Sequence, residues 1–246
     1  MDLNATVLVG GLAVLLGGTV QGCVGFGFGM IALTPLLFLL SPREAVPMLM
    51  MLSLLNTVPI AFSNRDKIRP RVVAPLFAGA LVGVPIGIAA ILYLDGPVFR
   101  TLVGVLLVSF AAVLATGWSY PLPRPALASL PIGFASGIMN GSTSMGGPPV
   151  ILFLANQSVP KDVFRTNIVA YFSCTNVFSI ALVTSQGMID GEMLARTALF
   201  APLLIGGTYA GSRIARVTSE KLFRSITLAC AGGMGVVLLI QNAPSL

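Results

Sequence analysis

Apolar stretches long enough to cross a lipid bilayer recur throughout this chain, and that recurrence constrains its fold more than any motif. They run from Leu3 to Val20, Ala45 to Phe62, Val72 to Leu94, Val98 to Trp118, Val163 to Thr184, Leu194 to Gly211 and Leu222 to Ile240. A helix of about 20 such residues spans the hydrocarbon core. Met30 to Leu40 and Val150 to Leu154 are too short to cross alone, and Ala126 to Met139 is marginal. Because a backbone in lipid must satisfy its own hydrogen bonds, the pattern predicts an all-α, polytopic transmembrane helix bundle.

Composition agrees. Hydrophobic residues make up 56% of the 246 positions and charged ones 9%, against about a quarter charged in soluble domains. The net charge of +6 is spread over short loops with no nucleic-acid motif, so the expected partners are the bilayer and a small solute, with no nucleic acid. The start, Met1-Asp2-Leu3-Asn4, lacks the basic region of a signal peptide, so the first apolar stretch reads as structure. Cys23, Cys174 and Cys230 fall inside apolar stretches and read as small core residues rather than a disulfide framework.

The chain also repeats itself. Phe99-Arg100-Thr101-Leu102 is echoed by Phe223-Arg224-Ser225-Ile226, and Gly83 and Gly87 match Gly207 and Gly211 at the same offset. Asn56 pairs with Asn176 in Ser-Leu-Leu-Asn and Ser-Cys-Thr-Asn. Pro121, Pro123 and Pro125 interrupt the apolar pattern between the halves, which places a first repeat at 1–119 and a second at 120–246, together forming one membrane domain.

Basic loops lie preferentially in the cytoplasm. With Arg65 to Arg71 placed there, alternation puts eleven of the 14 Lys and Arg inside and three outside, and both chain termini on the periplasmic side. The solution requires Leu3 to Leu40 and Ala126 to Leu154 each to be a broken or re-entrant helical hairpin. Each repeat is then a hairpin plus three transmembrane helices, and the odd count inverts the second repeat relative to the first. Inverted repeats are characteristic of secondary transporters, which bind substrate at the repeat interface near the membrane midplane.

The hairpin tips carry the candidate site. The first reads Gln21-Gly-Cys-Val-Gly25-Phe-Gly27-Phe-Gly29-Met30, and the second Asn140-Gly141-Ser142-Thr143-Ser144-Met145-Gly146-Gly147-Pro148-Pro149, with a new helix expected at about Pro148. A helix that starts inside the membrane presents free N–H groups and a positive dipole end, and glycine lets an anion approach them. Ser142, Thr143 and Ser144 add hydroxyl donors. Asn56 and Asn176, inside apolar helices, are either site residues or helix-to-helix hydrogen bonds. Gly83, Gly87, Gly207 and Gly211 read as close-packing glycines. Arg165 is a candidate anion attractor at a helix entrance, or a positive-inside anchor.

Absences narrow the chemistry. The chain has no histidine, and its eight acids lie in loops or at helix ends, so no catalytic, cofactor or metal site is expected. Nor is there a phosphate-binding loop for ATP hydrolysis. Anion export from a cell negative inside gains about 2.3 kcal/mol per charge per 100 mV and needs no coupling ion. A channel-like anion pore, an importer of a carboxylate or other small organic anion, a membrane-embedded scaffold and homo-oligomers all remain compatible with the residues.

Through Gln21-Gly-Cys-Val-Gly-Phe-Gly-Phe-Gly and Gly137-Ile-Met-Asn-Gly-Ser-Thr-Ser-Met-Gly-Gly-Pro-Pro-Val, the chain resembles the sulfite exporter TauE/SafE family over nearly its whole length. The family's glycine-rich stretch and following proline are matched by Gly22, Gly25, Gly27, Gly29 and Pro35, and again by Gly137, Gly141, Gly146, Gly147 and Pro149. Asn140, Ser142, Thr143 and Ser144 stand where glycines are usual. The resemblance implies export of sulfite, or of an organosulfonate such as sulfoacetate, across a bacterial inner membrane.

Overall fold

The computed structural model describes residues 3–115, 125–155 and 160–214, with isolated positions 233, 236 and 240. Regular structure among the described residues is helical throughout. The helices are α1 (Leu3–Val24), α2 (Phe28–Leu39), α3 (Pro42–Ser63), α4 (Pro70–Tyr93), α5 (Gly96–Ala115), α6 (Pro125–Thr143), α7 (Gly147–Ala155), α8 (Lys161–Ser185) and α9 (Gly191–Ile214), with a single 3-10 turn at Arg65–Lys67.

Within the described residues each apolar stretch became a helix, usually extended by two or three residues at an end. Pro42–Ser63, Pro70–Tyr93, Val163–Ser185 and Gly191–Ile214 are long and apolar enough to cross a membrane, and Val7–Cys23, Phe28–Leu39 and Gly96–Ser109 are shorter apolar helices. The stretch expected at Leu222 to Ile240 and most of the proline-rich boundary lie outside the described residues. At about 1.5 Å per residue, the 12 residues of α2 cover about 18 Å, well short of a bilayer core.

The surface is the reverse of a soluble helix bundle. Along α4 Gly79, Ala80, Gly83 and Gly87 are buried beside Leu76, Val84 and Ile88, while Leu81, Val82 and Ile86 are exposed. Lipid is as apolar as leucine, so bulky side chains gain little by turning inward, and close backbone packing decides which face is buried.

The described residues fall into two compact units, one drawn from 1–45, 91–118 and 198–246, the other from 46–90 and 119–197. In the first, α2 folds back on α1, with Gly17 against Phe28 and Ala32 and Gly10 against Leu36. Across its other face α1 packs on α9 through glycines on both helices. A Cβ at Gly18 would lie 2.8 Å from the Leu204 carbonyl, and Cβ atoms at Gly22, Gly207 and Gly211 would overlap the carbonyls of Thr208, Leu15 and Thr19. The Cys23 thiol donates to the Gly211 carbonyl at 2.9 Å.

The second unit repeats this seam between α4 and α6. Gly79, Gly83 and Gly87 press on the carbonyls of Leu130, Phe134 and Ile138, while Gly133 and Gly141 press on those of Leu76 and Val84. Gly83, Gly87, Gly207 and Gly211 are thus packing glycines, as their spacing predicts. Cys174, expected in the core, is exposed on α8, where lipid accommodates a small thiol as readily as protein does.

Candidate anion site

Both helix breaks have the same construction, 119 residues apart. α1 ends at Val24 and three residues, Gly25, Phe26 and Gly27, lead into α2; α6 ends at Thr143 and three residues, Ser144, Met145 and Gly146, lead into α7. Gly25 N–H donates to the Gln21 carbonyl at 2.7 Å, and Ser144 N–H donates to the Asn140 carbonyl at 2.9 Å. The capping residue is left-handed in each, with φ 87° at Gly25 and φ 56° at Ser144. Such an αL cap is ordinarily glycine, because a side chain there crowds its own backbone. The first break turns left-handed again at Gly27, φ 93°, immediately before α2.

The breaks differ in what they offer an anion. At the start of α2 the N–H groups of Phe28, Gly29 and Met30 have no partner within the helix, since the first intrahelical bond joins Ile31 N–H to the Gly27 carbonyl at 3.2 Å. Phe28, Gly29 and Met30 are buried. α7 begins at Gly147, one residue before the expected start, and continues with Pro148 and Pro149, which have no N–H. Only Gly147 supplies a donor in those three positions, so the second break must rely more on side chains.

Those side chains divide sharply. Ser142 and Thr143, expected as free donors, lie in the last turn of α6, and their hydroxyls donate to the carbonyls of Ile138 at 2.8 Å and Met139 at 2.6 Å. Ser144 Oγ is buried without a hydrogen-bond partner. Asn140, 1% exposed, gives its amide N–H groups to Asn176 Oδ1 at 3.1 Å and Ser179 Oγ at 3.3 Å, and Asn176 passes its own to Ser53 Oγ at 3.0 Å. This chain ties α6, α8 and α3 together. Asn56, a turn beyond Ser53, is 8% exposed with Nδ2 unpartnered.

A second relay holds the break itself. Tyr171 donates its hydroxyl to Ser136 Oγ at 2.8 Å, and Ser136 donates to the Gly146 carbonyl. Gly146 has no room for a side chain, because a Cβ would sit 2.8 Å from both Asn140 Cβ and the Ser136 carbonyl. Gly141 is pressed on α4, and Gly147 lies against Ile151 and Phe172.

In the other unit Gln21 is 4% exposed with Oε1 unpartnered, as are the buried hydroxyls of Thr34 and Thr208. Arg165 is half-buried near the start of α8. Sequence reading passed over Ser53, Ser136, Tyr171 and Ser179 as site residues. Their signal was polar residues three or four apart in apolar helices, as in Ser53 and Asn56, Ser136 and Asn140, or Tyr171, Thr175 and Ser179. No group of three His, Cys, Asp or Glu residues suited to a metal occurs among the described residues.

The fold and its breaks define a multi-pass helical membrane protein with buried polar groups gathered where helices are interrupted, the arrangement that solute transporters use. The chain belongs to the sulfite exporter TauE/SafE family, whose family model matches residues 10–238. That membership makes it a membrane transporter of the family that handles sulfite or related anions. No curated protein and no solved structure matches it.

Proposed function

We propose that this protein is a secondary transporter exporting a small sulfur-containing anion, sulfite or an organosulfonate such as sulfoacetate, across the bacterial inner membrane. Each glycine-rich helix break offers donors to the anion, in a chain of two inverted repeats, 1–119 and 120–246, with both termini periplasmic.

The observation that carries this reading is the left-handed cap that both breaks share, 119 residues apart, in a member of a sulfite exporter family. At the first break the donors are the backbone N–H groups that begin α2, helped by Gly25, Gly27 and Gly29, with Gln21 behind them. At the second, Gly147 supplies the backbone donor. Ser144 and Asn56 supply side-chain donors, while Gly141, Ser142, Thr143 and Gly146 shape the wall. Asn140 and Asn176 spend their amide donors on other protein groups, so their part is to hold the others in place. Arg165 serves as the cytoplasmic anion attractor.

The test is a panel of sulfite, sulfate, thiosulfate, taurine, sulfoacetate and matching carboxylates against the purified protein. A ligand that binds the folded state raises its melting temperature. Selective stabilisation by sulfite or a sulfonate, followed by saturable counterflow of that anion in proteoliposomes, is the expected result. Selective stabilisation by carboxylates would remove the sulfur assignment, and non-saturating conductance without counterflow would replace the transporter by a pore.

A further inference from the structure

Arg100 carries a buried guanidinium Nε with no hydrogen-bond partner in a membrane helix. It lies in the second turn of α5, directly after the fully buried Phe99, and is itself half-buried. Its Nε is sealed from solvent and has no hydrogen-bond partner. Three other arginines have side-chain partners: Arg43 reaches the Leu92 carbonyl at 2.6 Å, Arg196 pairs with Glu192, and Arg213 lies over the Tyr209 ring. A buried N–H with no acceptor is unfavourable in an apolar helix, and an ionisable residue kept in such a helix marks a candidate functional site.

Helical side chains lean toward the N-terminus of their helix, so Arg100 reaches toward the turn that joins α4 to α5. Arg43 bonds the last turn of α4 at the same end of this unit. Asp95, in that turn, is exposed, and no ion pair among the described residues joins it to either arginine. In the proposed topology this end is periplasmic, where only three of the 14 basic residues stand: Arg43, Arg100 and Arg196. Two of the three gather at one turn on the side that the positive-inside rule leaves poor in basic residues, so cytoplasmic retention does not account for them.

We infer that Arg100, with Arg43 at the same turn, forms an oxyanion site at the outer end of this unit. The guanidinium fork suits two oxygens of one sulfur or phosphorus centre. The ligand is either the exported anion as it leaves or the phosphate of an anionic lipid. The inference rests on the proposed orientation and deepens the transport reading.

Wild type, Arg100→Gln and Arg100→Lys are compared by thermal unfolding, with sulfite titrated in neutral detergent and, separately, in phosphatidylcholine nanodiscs with and without phosphatidylglycerol. If the free anion is the ligand, Arg100→Gln needs about tenfold more sulfite for the same rise in melting temperature. If lipid is the ligand, phosphatidylglycerol stabilises wild type and not Arg100→Gln, and the sulfite titrations coincide. Unchanged responses in both arms overturn the site. Should Arg100→Gln not fold, Arg100→Lys, which keeps the charge and loses the fork, must weaken one of the two responses, and equality with wild type in both again overturns it. Sulfite counterflow by wild-type proteoliposomes is measured alongside: its absence with Arg100-dependent stabilisation intact removes the export reading and leaves the site.

Discussion

Asn140 and Asn176 bind each other side chain to side chain, Nδ2 to Oδ1 at 3.1 Å, and both are almost wholly buried. Asn140 sits one turn before the second break, so this bond fixes the break to α8 and, through Ser53, to α3. The pair therefore belongs to the framework that holds the second break.

Buried hydrogen bonds across membrane helices couple by about 0.6 kcal/mol on average and up to about 1.7 kcal/mol. Asn140→Ala and Asn176→Ala should each lower stability, and the double variant should lose less than the sum. Unfolding of the purified variants measures this; strict additivity would mean the amides act independently.

Ser144 holds a left-handed conformation that costs a non-glycine residue roughly 1–2 kcal/mol. Ser144→Gly should raise the melting temperature while weakening anion binding, because it relieves strain and removes the unpartnered hydroxyl. Ser144→Ala should weaken binding without the gain in stability. Ser142→Ala and Thr143→Ala should cost less affinity than either, since those hydroxyls already donate to α6 carbonyls. Equal losses at all three positions would remove Ser144 from its special place.

Gly206 and Gly207 are neighbours in α9 with opposite surroundings. Nothing lies within 4 Å of a Cβ at Gly206, while one at Gly207 would overlap the Leu15 backbone. Gly206→Ala should stabilise by about 0.5–1 kcal/mol through reduced chain entropy, and Gly207→Ala should destabilise by about 1–3 kcal/mol through forced separation of α1 and α9. Thermal unfolding of the two single variants provides the comparison, and matching shifts would show that the seam is not tight.

Ser136 and Tyr171 form one relay, but the middle member has more to lose. Ser136→Ala strands both the Tyr171 hydroxyl and the Gly146 carbonyl, with a penalty of about 1–3 kcal/mol for each buried group left unsatisfied. Tyr171→Phe leaves the Ser136 donation in place and should cost less. A larger effect for Tyr171→Phe on unfolding would place the tyrosine hydroxyl in a role other than supporting Ser136.

Helix limits were legible because lipid imposes a length and an apolar composition that few alternatives satisfy. The breaks were legible because alternating glycines, and paired prolines after glycines, interrupt helices for local steric reasons. Less legible was the state of each polar side chain. Ser142, Thr143 and Ser144 are consecutive and chemically alike, yet two hydroxyls bond their own helix and the third, in a left-handed turn, is buried without a partner. Asn56 and Asn176 stand in matching tetrapeptides, yet only Asn176 donates its amide across helices.

The sequence by itself determined that this chain forms membrane helices, where they lie among the described residues, and that two of them break at glycine-rich turns, because these features depend on local sterics and on solvent. Only the tertiary structure decided which helices pair. α1 packs on α9, from the far end of the described chain, and α6 packs on α4 rather than on its neighbour α5. A glycine-lined face accepts any backbone that can approach it, so its partner is chosen by three-dimensional register, which no single segment encodes.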